Sequence, residues 1–140
     1  MSIDVHVAFA CDCRIDVDDT IRVITEAEAF DVPLKARPEY PRLDLPESIV
    51  LGACFVGDAI RVAVRCTNVG AHGAFTIEVP GRAQNNPYVT RAPPFTLYPS
   101  QLELRKGEMA EITIEYVPRE LGEHQTTVHF VNGDRMQLLQ

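Results

Sequence analysis

The chain has 140 residues, 46% of them hydrophobic, and a formal net charge of −7. That length allows one domain with a real core, and that apolar content is too high for a disordered chain. No apolar run approaches the ~20 residues of a membrane helix, and the acidic balance argues against a nucleic-acid binder, which must neutralise phosphates.

Ile3, Val5, Val7 and Phe9 alternate with Asp4, His6 and Ala8, so a strand is predicted over residues 3–10. Residues 11–19 read as a polar connection. A strand follows over Thr20–Thr25, then a turn at Glu26-Ala27-Glu28, then extended chain over Ala29–Ala36. Pro33 confines that last stretch to an edge or a bulge. Arg37-Pro38-Glu39-Tyr40-Pro41 holds two prolines and reads as a linker, with a module boundary near residue 40. Leu43, Leu45, Ile49 and Leu51 are expected to form the opening strands of a second unit, punctuated by Pro46 and Gly52.

From Ile60 to Cys66 the alternation is clean: Ile60, Val62, Val64 and Cys66 point one way, Arg61, Ala63 and Arg65 the other. Asn68-Val69-Gly70 closes that strand, and Phe75, Ile77 and Val79 form the next. Residues 80–96, rich in proline and asparagine, read as the longest loop, of a length that is often functional. Residues 95–104 are extended again, and Gly107 turns into a strand over Met109–Val117. Gly122–Val131 is predicted as a strand, Asn132-Gly133 as its hairpin turn, and Arg135–Gln140 as the return. No segment has a helical apolar period. Short alternating strands joined by turn residues predict an all-β, immunoglobulin-like sandwich, a class that usually binds rather than catalyses.

The charge is uneven: residues 1–40 carry nine acidic and four basic groups, residues 41–140 eleven and nine. Of the four cysteines, Cys11, Cys13, Cys54 and Cys66, none lies late in the chain, and there is no Trp. The inter-sheet disulfide of a secreted immunoglobulin domain is therefore not expected, and the setting reads as reducing and intracellular. The opening residues show no basic region ahead of an apolar stretch, so they do not read as a secretory signal. The first 40 residues hold too few strands for a sandwich core, and the last strand stops at Gln140. The sequence reads as a window on something longer.

An ordered set of residues in 41–140 resembles the ASH (ASPM/Hydin-type) domain of the major-sperm-protein and PapD-like superfamily. The set runs Pro46, Gly52, Val62, Val64, Asn68, Phe75, Phe95, Pro99, Gly107, Tyr116-Val117-Pro118 and Leu121-Gly122. Residues 20–37 are similar to the closing strand of a preceding domain of this type, ending in Pro33-Leu34-Lys35-Ala36 and Pro38. The resemblance implies tandem domains, as in ciliary proteins of the Hydin and Deleted-in-lung-and-esophageal-cancer types. It also implies a non-enzymatic scaffold role at the axoneme, centrosome or basal body. The alternative it implies is a peptide-binding adaptor in membrane trafficking, which would need a basic patch. Expected partners are other proteins: neighbouring repeats and microtubule-associated or axonemal proteins.

The residues read alone agree on structure. Asn68 can bond local backbone, Phe75 can fill the space between sheets, and Pro118 with Gly122 can set a corner. Gly52, Asn68, Phe75, Pro99, Gly107, Tyr116, Pro118 and Gly122 are thus expected to determine the fold.

Other chemistry is thin. Cys11-x-Cys13 lacks the second ligand pair of a zinc site, and Asp12, Asp16, Asp18 and Asp19 lack the spacing of a calcium loop. His124 and His129, placed on one strand, face opposite sides, with His129 outward. No nucleophile–base set, phosphate loop or cofactor site can be assembled, so no enzyme, metal or cofactor is expected. Two features could bind a partner. Arg82, Asn85, Asn86, Tyr88 and Arg91 mix donors with an aromatic in the 80–96 loop. An edge strand could accept a strand from another chain. Arg61 and Arg65, with Glu78 and Glu111 nearby, read as cross-strand ion pairs. Residues 1–36 are expected to pack poorly on the main domain or to pair with another chain.

Overall fold

The computed structural model describes residues 2–8, 16–83 and 86–140. The chain divides into two compact units, Met1–Tyr40 and Pro41–Gln140.

In the first unit, β1 (Val17–Ile24) and β2 (Ala29–Ala36) form an antiparallel hairpin, with Val17 opposite Ala36 and Ile24 opposite Ala29. Thr25 closes it: its N–H and its hydroxyl both donate to the Glu28 carbonyl, and Glu28 N–H donates back to Thr25 Oγ1. Residues 2–8 form no strand, which corrects the expectation over 3–10. Alternation lets a segment be a strand, but only a neighbour can satisfy its backbone. Phe9 and Ala10 lie outside the described residues.

The second unit is two antiparallel sheets. One has the order β11-β10-β5-β8, the other β3-β4-β9-β7-β6. The strands are β3 (Leu43–Asp44), β4 (Ile60–Asn68), β5 (Gly73–Glu78), β6 (Thr90–Ala92), β7 (Phe95–Tyr98), β8 (Gln101–Leu104), β9 (Met109–Tyr116), β10 (Val128–Asn132) and β11 (Arg135–Leu139). The described residues contain no helix. Alternate side chains from both sheets meet between them: Cys66, Phe75, Ile77, Leu97, Ile112 and Phe130 are all buried in one core. Each such side chain contributes about 1.5–3 kcal/mol by leaving water. A second cluster, Val79, Ala92, Phe95 and Tyr116, packs at one end. Two sheets packed face to face around an alternating core are an immunoglobulin-like sandwich.

Several boundaries differ from expectation. The loop over 80–96 is interrupted by the β6–β7 hairpin, whose tip is Pro93-Pro94. Prolines suit a hairpin tip, where no ladder N–H is needed. The extended run 95–104 is two strands in opposite sheets, and the chain crosses between them at Pro99-Ser100. Leu45, Ile49 and Leu51 pack on the core from irregular chain, so β3 is the whole of the expected opening strands. Residues 117–127 are not strand, and β10 starts at Val128 rather than Gly122. The final turn centres on Gly133-Asp134, one residue past Asn132-Gly133. Gly133 has φ +61 and no described non-glycine residue has positive φ, which identifies a type II′ turn.

Candidate interaction surfaces

Asn68 ends β4 fully buried, with its amide saturated. Its Oδ1 accepts from the N–H groups of Arg42 (3.2 Å) and Gly70 (3.1 Å). Its Nδ2 donates to the carbonyls of Ala71 (2.8 Å) and Leu104 (2.9 Å). One side chain thus joins the chain before β3, the turn after β4 and the end of β8. Gly107, at φ +80, donates its N–H to the Asn68 carbonyl. Phe75 is core, Pro99 sits at the sheet crossing, and the Pro118 carbonyl accepts from Gly57 N–H at 2.9 Å. Gly52 and Gly122 hold φ +87 and +136. Gly73 belongs with these residues, although nothing in its sequence context marks it. A Cβ there would overlap the Pro41 ring and approach Asn132.

The segment before and within β6 carries the predicted binding residues. Asn86 Oδ1 accepts from Tyr88 N–H at 2.9 Å, and the Asn86 carbonyl accepts from the buried Ser100 hydroxyl at 3.2 Å. These bonds fix the backbone and leave the Tyr88 ring 78% exposed. Arg91 is exposed on β6, the edge of its sheet, and Arg82 lies in a turn with its N–H on the Val79 carbonyl. No hydrogen bond among the described residues joins either arginine to Asn86 or Tyr88. Asn85 lies outside the described residues.

Arg61 and Arg65 are engaged within their own sheet. Arg61 stands opposite Glu115 and pairs with it at 2.5 Å, and Arg65 stands opposite Glu111 at 3.6 Å. Glu78 is on β5 in the other sheet, opposite His129, so it has no part in these pairs.

A groove of about 790 Å³ opens between residues 48–54 and 122–126, floored by Leu97, Ile114, Val128 and Leu139. Phe95 and Tyr116 stack along it with centroids 5.0 Å apart. The Tyr116 hydroxyl meets His124 Nδ1 at 2.9 Å and ties the irregular 117–127 segment to β9. His124 is therefore off the strand that carries His129, and His129 is half-buried on β10 rather than exposed. Val50 on the groove wall is 91% exposed, and Leu121 beside Gly122 is 93% exposed. Such a site can bury an apolar side chain of a partner and offer an imidazole and the Gln125 amide at its rim. The groove escaped sequence reading because its walls are far apart in the chain and irregular.

No three His, Cys, Asp or Glu side chains among the described residues converge as a metal site. Asp16 and Asp18 are paired with Arg37 at 3.5 and 3.2 Å, and Asp19 accepts from Thr20 N–H. Cys11, Asp12 and Cys13 lie outside the described residues. Burial pushes the Cys66 thiol above its ordinary range, partly offset by a backbone hydrogen bond from Ala110. No described helix is long and apolar enough to cross a membrane.

Known proteins share this pattern. The human Deleted in lung and esophageal cancer protein 1 is 32% identical over 130 residues, covering 86% of this chain and 7% of that protein. The human Hydrocephalus-inducing protein homolog is 27% identical over 109 residues, covering 78% of this chain and 2% of that protein. The chain thus spans a small fraction of either relative. The model of the HYDIN/CFA65/VesB-like, Ig-like domain matches residues 41–137, nearly the whole second unit, and the chain belongs to that family.

Proposed function

We propose that this chain is a non-enzymatic protein–protein interaction module of a ciliary scaffold, placed at the axoneme or at the centrosome and basal body. The family match over 41–137 is the observation that carries the reading. The surface is in keeping with it. Apolar side chains line a groove, and β6 presents an open edge beside Tyr88 and Arg91. Groove and edge are the two ways a sandwich takes a neighbour: by burying an anchor side chain, or by adding a strand. The partner-binding residues of this reading are Arg82, Asn85, Asn86, Tyr88 and Arg91, and the partners are neighbouring repeats and microtubule-associated or axonemal proteins. An adaptor for acidic peptides would need free cations, whereas Arg61 and Arg65 already face Glu115 and Glu111.

The test is localisation of the tagged full-length protein in ciliated cells, with proximity labelling. Signal along the axoneme or at the basal body supports the scaffold and names its neighbours. Signal at membrane contacts would transfer the chain to the adaptor reading.

A further inference from the structure

The groove between residues 48–54 and 122–126 reaches the core itself. Leu97, Ile114, Val128 and Leu139 belong both to its lining and to the buried cluster between the sheets. Its walls are pinned. Ile49 N–H donates to the Gln140 carbonyl at 2.7 Å and Gly57 N–H to the Pro118 carbonyl at 2.9 Å, one towards each end of the first wall. The Tyr116 hydroxyl meets His124 Nδ1 at 2.9 Å and holds the second wall. Between these pins no backbone hydrogen bond among the described residues joins the two walls. A groove already in place spends little ordering entropy when a partner enters. Its volume of about 790 Å³ falls among sites of ~300–1,000 Å³ that bury most of a small ligand, so it has room for apolar side chains of a short segment.

The charge around this opening is one-sided. The stretches 47–58 and 117–126, which contain the two walls, carry Glu47, Asp58, Glu120 and Glu123 against the single Arg119. The rest of the second unit carries seven acidic and eight basic groups. The negative excess of the unit therefore sits on these two stretches. None of the four carboxylates is ion-paired among the described residues, whereas Glu111 and Glu115 on β9 are each held by an arginine. Glu123 itself lines the groove and is exposed. Unpaired charge of one sign beside an apolar opening attracts the opposite sign and steers it in.

We propose that the groove receives a segment of a partner protein that lays an apolar side chain over Leu97 and Ile114. Lysines or arginines next to that side chain stand against Glu123 and its acidic neighbours. The inference deepens the interaction-module reading and rests on it, but it does not rest on the ciliary placement. Its ligand is opposite in charge to the acidic peptide of the adaptor reading.

A random-peptide library displayed on phage and panned on the 140-residue chain tests it. Enriched peptides are expected to carry Leu, Ile, Val or Phe next to Lys or Arg. Synthetic copies should bind several-fold more weakly in about 0.5 M than in about 0.05 M salt, since contacts between exposed charges are screened. Glu123→Lys should weaken them about tenfold, and Val50→Ser on the groove wall about threefold. Both positions are exposed, so melting temperatures should stay at the wild-type value. Enrichment of acidic or uncharged peptides, or affinity unchanged in Glu123→Lys, overturns the partner class. Affinity unchanged in Val50→Ser puts the peptide outside the groove and overturns the site, and a panning with no enrichment overturns both. A concentration-dependent dimer that Val50→Ser weakens gives the groove to a second copy and overturns the proposal as well. Proximity labelling keeps the two readings apart. Axonemal neighbours that survive the double variant leave the interaction module standing while the groove fails. Cationic peptide binding by a protein found at membrane contacts leaves the groove standing while the ciliary reading fails.

Discussion

The side-chain amide of Gln137 takes both backbone groups of Leu43. Leu43 N–H donates to Gln137 Oε1 at 2.8 Å, and Gln137 Nε2 donates to the Leu43 carbonyl at 2.7 Å. Leu43 sits opposite Asn68 in one sheet, and Gln137 opposite Phe130 in the other. A glutamine side chain thus stands in for the strand that β3 lacks on its outer side, and it ties the sheets together. Gln137→Ala leaves two backbone groups without partners and is expected to cost about 1–3 kcal/mol. A urea midpoint unchanged from wild type would show that water replaces the amide without loss.

Asn68 makes a sharper case because both ends of its amide are used. Asn68→Asp keeps the acceptors for Arg42 and Gly70 but turns a carboxylate towards the carbonyls of Ala71 and Leu104. The expected loss at neutral pH is about 2–4 kcal/mol. Those carbonyls favour the protonated acid, so the folded pKa of the introduced carboxyl rises above its unfolded value of about 3.9. Stability contributed by the neutral form is then present below that value and lost as pH rises through the folded pKa. The gap to wild type should therefore narrow as pH falls towards 4, read from denaturant midpoints across pH.

Much of the second unit was legible because burial there is one-sided and repeats every two residues. β4 and the outward side of Arg61 and Arg65 follow from that rule directly, and so does the Glu111 partner of Arg65. Alternation along one strand does not give the neighbouring strand, however, so Glu78 is expected where Glu115 stands. It misled at Ile3–Val7, where alternation is present and the neighbouring strands are not. Pro93-Pro94 marks a hairpin tip, and the strands on either side are only three and four residues long, too short for periodicity to show. Tyr88 and Arg91, read from the sequence as an aromatic and a donor of the 80–96 loop, are both exposed. The groove was not legible, because no local pattern brings residues 48–54 to residues 122–126.

Gly73 tests close approach rather than turn geometry. The Pro41 ring occupies the place where its Cβ would lie. Gly73→Ala is expected to cost about 1–3 kcal/mol, the usual penalty for overpacking. Gly81→Ala, where the added Cβ meets nothing within 4 Å, should cost less and act only through its φ of +74. A Gly73→Ala variant with wild-type melting temperature would place Pro41 elsewhere in solution.

Cys66 gives a pH-dependent prediction. Its thiol is buried and desolvation raises its pKa, while the unfolded chain ionises near the ordinary thiol value of about 8.5. The stability it contributes is therefore intact below that pH and is lost as pH rises beyond it. Between pH 8 and 10 the wild-type denaturant midpoint should fall more steeply than that of Cys66→Ala. Of the two described cysteines, the half-buried Cys54 should alkylate in the native state and Cys66 only on unfolding, as peptide mapping would show.

Leu121 separates folding from binding. At 93% exposure it contributes almost nothing to the core, and it directly precedes Gly122, the first residue of the 117–127 segment to line the groove. Leu121→Asp is expected to leave stability within about 0.5 kcal/mol of wild type. If the groove anchors a partner, the same change places a carboxylate beside Gly122 of its lining, where it disfavours an approaching apolar anchor, and neighbours labelled from the tagged protein should fall several-fold. Tyr116→Phe is the complementary variant. It removes the hydroxyl that meets His124 and should loosen residues 117–127, seen as faster amide exchange there with β9 still protected. Loss of labelling in both variants assigns the interaction to the groove. Loss in neither assigns it to the β6 edge, where Arg91→Glu becomes the informative change.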